Sequence, residues 1–115
     1  MAKIIYNNII PLKGFKALTV WPFIFVRKGA RYTEVDDHHE NIHCEQQKEM
    51  LVVFFFLWYI IEWLIRLIQY RNATTAYKNI SFEREAYYHQ AEAGYLEIRK
   101  PYSFIKFINS YGSKN

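Results

Sequence analysis

Hydrophobic and polar positions change rhythm along the chain. Residues 3–10 and 15–27 are dense in β-branched and aromatic side chains. Between them lies Pro11-Leu12-Lys13-Gly14, a turn signal. Pro22 interrupts the second run, which predicts a bent or edge strand, or two short ones, and Lys28-Gly29-Ala30 ends it. Residues 1–30 therefore predict a small β-sheet of two or three strands. A mainly polar helix is expected over residues 33–49, with Thr33 or Asp36 as its cap and acids in its first turn. An apolar helix follows over residues 50–70. Arg71 to Thr75 forms a polar connection. Ser81 then caps a helix reaching about Arg99, with a break at Pro101. Within it Phe82, Ala86, His89, Ala93 and Leu96 recur at helical spacing and predict a buried stripe. Residues 103–110 predict a last short helix, and residues 111–115 a frayed tail. The sum is an α+β domain: a short N-terminal sheet packed on three main helices.

The stretch from Met50 to Ile68 forces a choice. Only Glu62 and Arg66 interrupt it, and they stand i, i+4, as a charged pair on a helix face would. The unbroken apolar run from Met50 to Ile61 is short for a bilayer span, and a run of that length is more commonly a buried core helix. A core helix is the expectation, with the aromatics of residues 54–63 inside. Membrane attachment through residues 50–68 is the alternative, since Trp58, Tyr59, Trp63 and Tyr70 would suit an interface.

Composition narrows the class. In 115 residues, 51% are apolar and 19% aromatic, which excludes a disordered chain and suits a single globular domain. The one cysteine, Cys44, allows no intrachain disulfide, and no N-terminal signal pattern is evident; a cytoplasmic protein is expected. Cys44 itself reads as a small buried hydrophobe. The net charge of +4 is uneven: Lys3, Lys13, Lys16, Arg27, Lys28 and Arg31 precede the first acid. No basic cluster exceeds two adjacent residues, so this third reads as a solvated surface, and no nucleic-acid partner is expected. Residues 34–49 reverse the sign, with Glu34, Asp36, Asp37, Glu40, Glu45 and Glu49 against Lys48, a field that favours a divalent cation.

That acidic helix carries the chemistry, in His39-Glu40-Asn41-Ile42-His43. Histidines four apart on a helix share a face, so both imidazoles reach one ion. Glu40 lies about 100° round from His39, where it can act on a water without being a ligand. This is the H-E-x-x-H arrangement of zinc hydrolases. His38 points about 100° away from His39 and is expected in solvent or behind the ligands. A third ligand must come from further along the chain. Ser81-Phe82-Glu83-Arg84-Glu85-Ala86-Tyr87 offers Glu83 and Glu85, which could also be mere first-turn acids favoured by the helix dipole.

Here the chain resembles the gluzincins, zinc peptidases in which H-E-x-x-H is followed by a glutamate on a later helix. In the CAAX-prenyl-protease-like branch that glutamate begins an E-x-x-A-D pattern, matched here at Glu83 and Ala86 and departed from at Tyr87, where that branch has an aspartate that orients a ligand histidine. His-Glu-x-x-His-x-x-Gln, ending at Gln46, followed by Phe-Glu-Arg-Glu-Ala-Tyr, looks like the very small members called minigluzincins. The resemblance covers about residues 36–100.

It implies a zincin-like fold and zinc held by His39, His43 and Glu83. Glu85 is the rival ligand, since it lies nearer the Phe82–His89 stripe, and His89 would then be its partner. It implies hydrolysis of a peptide or protein substrate with Glu40 as general base, and an oxyanion donor among Tyr77, Tyr87, Tyr88 and His89. By analogy with such enzymes, Phe23-Ile24-Phe25-Val26 would offer a strand edge to an extended substrate. A zinc-stabilised binding or regulatory module without catalysis is the other reading. Nothing in the pattern specifies an oligomer.

Overall fold

The structure is a computed structural model and describes residues 2–11 and 14–109; the expected tail at 111–115 lies outside the described residues. Three strands form one sheet: β1 (Lys3–Asn7), β2 (Ala17–Val20) and β3 (Phe23–Arg27), in the order β1-β3-β2. β1 runs parallel to β3, with Ile5 opposite Phe25, and β2 runs antiparallel to it, with Thr19 opposite Ile24. The second apolar run is thus two strands, divided at Trp21-Pro22. Phe23–Val26 occupies the centre of the sheet, so the expectation that it offers a free edge fails. Hydrophobic alternation fixes which face of a strand is buried, not its place in the sheet. The free edge beside the helices belongs to β2.

Helix α1 (Glu34–Met50) is the axis of the molecule. Thr33 and Asp36 both cap it, forming a reciprocal capping box, and Glu34, Asp36 and Asp37 fill its first turn. Its two sides bury different things. Cys44 packs with Ile24 and Val26 of the sheet, while Ile42 packs with Ala86 and Tyr95 beyond it. α1 ends at Leu51, whose φ of 56° turns the chain sharply into α2 (Val52–Tyr70). The residues expected as a polar connection hold a further helix, α3 (Ala73–Lys78), because Asn72 accepts a hydrogen bond from the Thr75 N–H and caps it.

α4 (Ser81–His89) is half the length expected. The predicted helix over 81–99 breaks after His89, and the chain resumes as α5 (Tyr95–Ile98) before a 3-10 turn at Ser103–Phe107. The break is held by local bonds. The Glu92 N–H donates to the His89 carbonyl, the Glu92 carboxylate meets His89 Nδ1 at 2.7 Å, and the His89 ring stacks on Tyr95. The predicted stripe accordingly holds at Phe82 and Ala86 and lapses at Ala93, which is exposed.

α2 inverts the expected burial. Its buried residues are Phe55, Glu62 and Arg66, while most of its aliphatic side chains face outward. Of the aromatics expected inside, Phe54 is 57% exposed and only Phe55 is fully covered, packing with Phe82, Ile80 and Phe104. The charged pair is inside because it has work there. Glu62 accepts from both the backbone N–H and the hydroxyl of Ser81, and Arg66 donates to Glu62 and to the Ile108 carbonyl. Ser81 is therefore not the cap of α4, whose N-cap is Ile80. The Glu62 carboxylate serves that end of the helix instead, where the dipole favours a negative charge.

Removing one partner of a buried pair strands the other in a dry interior. Glu62→Ala is expected to lower unfolding free energy by about 3–5 kcal/mol, because Arg66 loses its counter-charge and α4 its capping group. Urea unfolding followed by circular dichroism measures it; a loss below about 1 kcal/mol, the surface-pair range, would contradict this account.

Candidate metal centre

Three helix-borne side chains meet between α1 and α4. His39 Nε2 lies 3.1 Å from Glu83 Oε1, His43 Nε2 lies 3.2 Å from the same oxygen, and the two Nε2 atoms are 3.2 Å apart. All three residues are buried. Glu83 stands in the first turn of α4, whose start the Glu62 cap fixes against α2. The buried His39, His43 and Glu83 group can hold a metal ion.

The hydrogen bonds behind the rings determine what the three atoms are. Gln46 donates its amide nitrogen to the Phe82 carbonyl and to Glu85 Oε1. Both partners only accept, so the Gln46 oxygen must be the atom 2.7 Å from His43 Nδ1, and Nδ1 must carry a proton. His39 Nδ1 likewise meets the side-chain oxygen of Gln90 at 2.7 Å. With Nδ1 holding its proton, it is Nε2 of each ring that faces inward and is free to bind a cation or a second proton. Two lone pairs and a carboxylate oxygen converge with no donor among them, an arrangement that requires a cation or a proton at its centre. A tetrahedral ion with bonds of about 2.0–2.1 Å would hold neighbouring ligand atoms roughly 3.3–3.4 Å apart, close to the separations observed. The donor set fits a divalent transition metal.

The electrostatics agree. Burial alone would raise the Glu83 carboxyl and lower His43. Their mutual attraction outweighs both effects, holding Glu83 well below the usual carboxylate range and raising His43 to about 9. Tyr59 of α2 donates to the second Glu83 oxygen at 2.7 Å, and its hydroxyl is pushed far up by burial and by that carboxylate.

Glu85, the rival ligand, has no part in this convergence. It is fully buried one turn-fraction away, where it accepts from Arg99, Tyr95 and Gln46. Arg99 also clasps Glu49, so the C-terminal segment is tied to α1 through two carboxylates. Burial would raise the Glu85 carboxyl, but Arg99 holds it below its ordinary value. His89 partners Glu92 rather than Glu85. His38 is half-buried and donates from Nδ1 to the Gln90 carbonyl. Tyr87 stands where the gluzincin pattern has an aspartate, and its ring packs on His39 at 4.5 Å without holding it; Gln90 takes that task. Cys44 is buried against the sheet, and burial pushes its thiol up to about 12.

Sequence reasoning missed Gln90 because no motif marked it, although it stands seven residues after Glu83 and so on the same side of the helix. Gln46 was visible, three residues after His43 on the same helix face.

Glu40 lies beside the centre. Thr19 of β2 donates to Glu40 Oε1 at 2.7 Å and to its backbone carbonyl. Glu40 lines two adjoining cavities. One, of about 750 Å³, is walled by His39, Lys16, Tyr77, Tyr87 and Gln90; the other, of about 520 Å³, by His43, Glu83, Ile9, Phe55 and Phe56. Ala17 of β2 borders both. Because the Arg27 N–H pairs with the Lys16 carbonyl, alternation turns the backbone groups of Ala17 and Thr19 away from β3. Gln47 occupies the far part of that edge, donating to the Thr19 carbonyl and accepting from the Trp21 N–H. Comparison of the chain with known protein families, with curated proteins and with solved structures finds no match.

Without metal, the Glu83 carboxylate raises His43 from its ordinary 6.5 to about 9, so the stability it confers is complete below 6.5 and lost as pH rises through about 9. The melting temperature of the metal-free chain should fall across that interval. Metal affinity should rise across it, since loading expels that proton, and calorimetry in buffers of different ionisation heat would register the release. Gln46→Leu should weaken metal binding by about 10–100-fold in chelator competition, by removing the group that fixes the His43 tautomer.

Proposed function

We propose that the chain is a small zinc-dependent metallopeptidase of the gluzincin type, with Glu40 as its general base. The observation that carries this reading is the convergence of His39, His43 and Glu83 on one point, beside a carboxylate that faces an open cleft. Zinc on those three residues would supply Lewis acidity, lowering the pKa of water and polarising the scissile carbonyl.

The chain's own groups do the rest. Glu40 takes the proton of the attacking water and passes it to the leaving amine. The Thr19 hydroxyl fixes Glu40 Oε1, leaving Oε2 for that proton. Tyr77 and Tyr87 are the candidate oxyanion donors, since both line the cleft with Glu40 and His39. Burial, and after it the Glu83 carboxylate, raises both hydroxyls, so each keeps a proton to donate to a substrate oxygen. Tyr88, whose ring packs on His89 and Phe107, has no such position. An extended peptide would pair with the outward groups of Ala17 and lay an apolar side chain into the cavity of Ile9, Phe55 and Phe56.

The decisive experiment is elemental analysis together with turnover of a quenched peptide library by the wild type and Glu40→Gln. Near-stoichiometric zinc in both, with the variant slower by about 10²–10⁴-fold, is expected. Zinc in both with no cleavage by the wild type would leave the non-catalytic module as the reading, and a wild type purified without metal and unable to take it up would remove both.

A further inference from the structure

The outward side of α2 is a broad apolar surface. Phe54, Leu57, Ile61, Leu64, Ile65 and Ile68 all point away from the domain, with exposures from 49% at Leu64 to 78% at Ile68. At 100° per residue the exposed positions, from Ile60 on one border to Trp58 on the other, sweep about 160° of the helix. No charged side chain lies on that arc, because Glu62 and Arg66 are both turned inward. The arc extends along the whole helix, about 28 Å at 1.5 Å per residue.

Neighbouring elements widen this surface and add charge to it. On one flank Trp58 packs on Phe104 of the 3-10 turn, whose next residue, Ile105, is half exposed. On the other, Phe56 shares a cavity with Ile9, which is 77% exposed. Two of the segments that pack beside α2 carry basic residues and no acid. Residues 71–80 carry Arg71 and Lys78, and residues 98–109 carry Lys100 and Lys106 besides Arg99, whose charge is taken up by Glu49 and Glu85.

We propose that this half-cylinder is a membrane-binding face, which lays α2 flat in the interface of an anionic phospholipid bilayer. Two features select lipid over a second copy of the chain. A helix–helix seam uses a narrow apolar stripe with charged flanking positions, whereas this arc covers nearly half the circumference and has none. The basic flanking segments complement phosphate headgroups, and in a two-fold pairing they would face their own like charge. α2 lies along the bilayer and does not cross it. Its inner half is committed to the Glu62–Arg66 pair and to Tyr59 on Glu83, and the domain behind carries charged residues that could not enter hydrocarbon.

The test is co-sedimentation of the purified full chain with vesicles of phosphatidylcholine alone and of phosphatidylcholine mixed with phosphatidylglycerol. Two variants are compared with it: Leu57→Glu/Leu64→Glu on the arc and Arg71→Glu/Lys100→Glu on its basic margin. A far-ultraviolet circular dichroism spectrum matching the wild type certifies that each variant is folded. The wild type should bind the mixed vesicles more tightly than the neutral ones, with affinity falling as salt rises. The arc variant should lose about tenfold or more in affinity, and the margin variant should lose the preference for anionic lipid. A wild type that stays in the supernatant overturns the proposal. So does an arc variant, folded by its circular dichroism, that binds as the wild type does. A dimer in sedimentation velocity that the arc variant dissolves, without vesicle binding, assigns the face to a second copy instead.

Discussion

Everything near the centre of this protein follows from three acceptor atoms held against one another. His39 Nε2, His43 Nε2 and Glu83 Oε1 lie within 3.2 Å, and the glutamines behind the rings keep protons on the far nitrogens. Left alone, such a group repels itself and should spread. It is held by bonds that reach outward in every direction: Gln46 to Glu85, Glu85 to Arg99, Arg99 to Glu49, and Gln90 back to α1. These are strong interactions because they are dry and involve charge. The fold therefore spends its polar core on positioning three atoms whose repulsion only a cation or a proton relieves.

The sequence made part of this legible and hid the rest for physical reasons. Helical spacing alone brings His39 and His43 to one face of α1, so that half of the centre could be read from five residues. The choice between Glu83 and Glu85 could not. Both lie near the start of α4, and which one faces the histidines depends on how α4 is seated on α2, which the buried Glu62 carboxylate decides through Ser81. Periodicity favoured Glu85 because it measures burial, and Glu85 is indeed the more deeply buried of the two. It is buried for its bond to Arg99. Gln90 was within reach of spacing, since it stands seven residues after Glu83 on the same side of α4 and keeps helical φ and ψ, but no motif marked it out; the break that follows is held by Glu92 and Tyr95. The mixed α+β character and the position of α1 were readable from the pattern. The order of strands was not.

α2 shows how one helix can break the usual distribution of polarity while each of its faces obeys it. Its inner face carries the two charges, because each has a partner that only an interior position supplies: Ser81 for Glu62, the Ile108 carbonyl for Arg66. Its outer face is apolar through its whole length. A helix read only by composition looks like a core helix, and a helix read only by length looks like a membrane span. The exposure pattern supports neither description in full. It is a helix with a polar seam against its own domain and an apolar face without a partner inside the chain.

That division ties the outer surface to the metal centre. Tyr59 reaches Glu83 from the inner face of α2, and Phe55 and Phe56, adjacent in sequence, line the apolar cavity beside His43. Val53 and Phe54, immediately before them, point outward. Only the thickness of one helix separates whatever covers the outer face from the residues that wall the cleft. A rotation of α2 by even part of a turn would draw Tyr59 from the Glu83 carboxylate and turn Phe56 out of the cavity. The Glu62–Arg66 pair is the brake on that rotation, since both charges would have to leave their partners for the helix to turn. The buried ion pair is thus the element that lets a small chain expose half of a helix and still keep the other half in register with three ligand atoms.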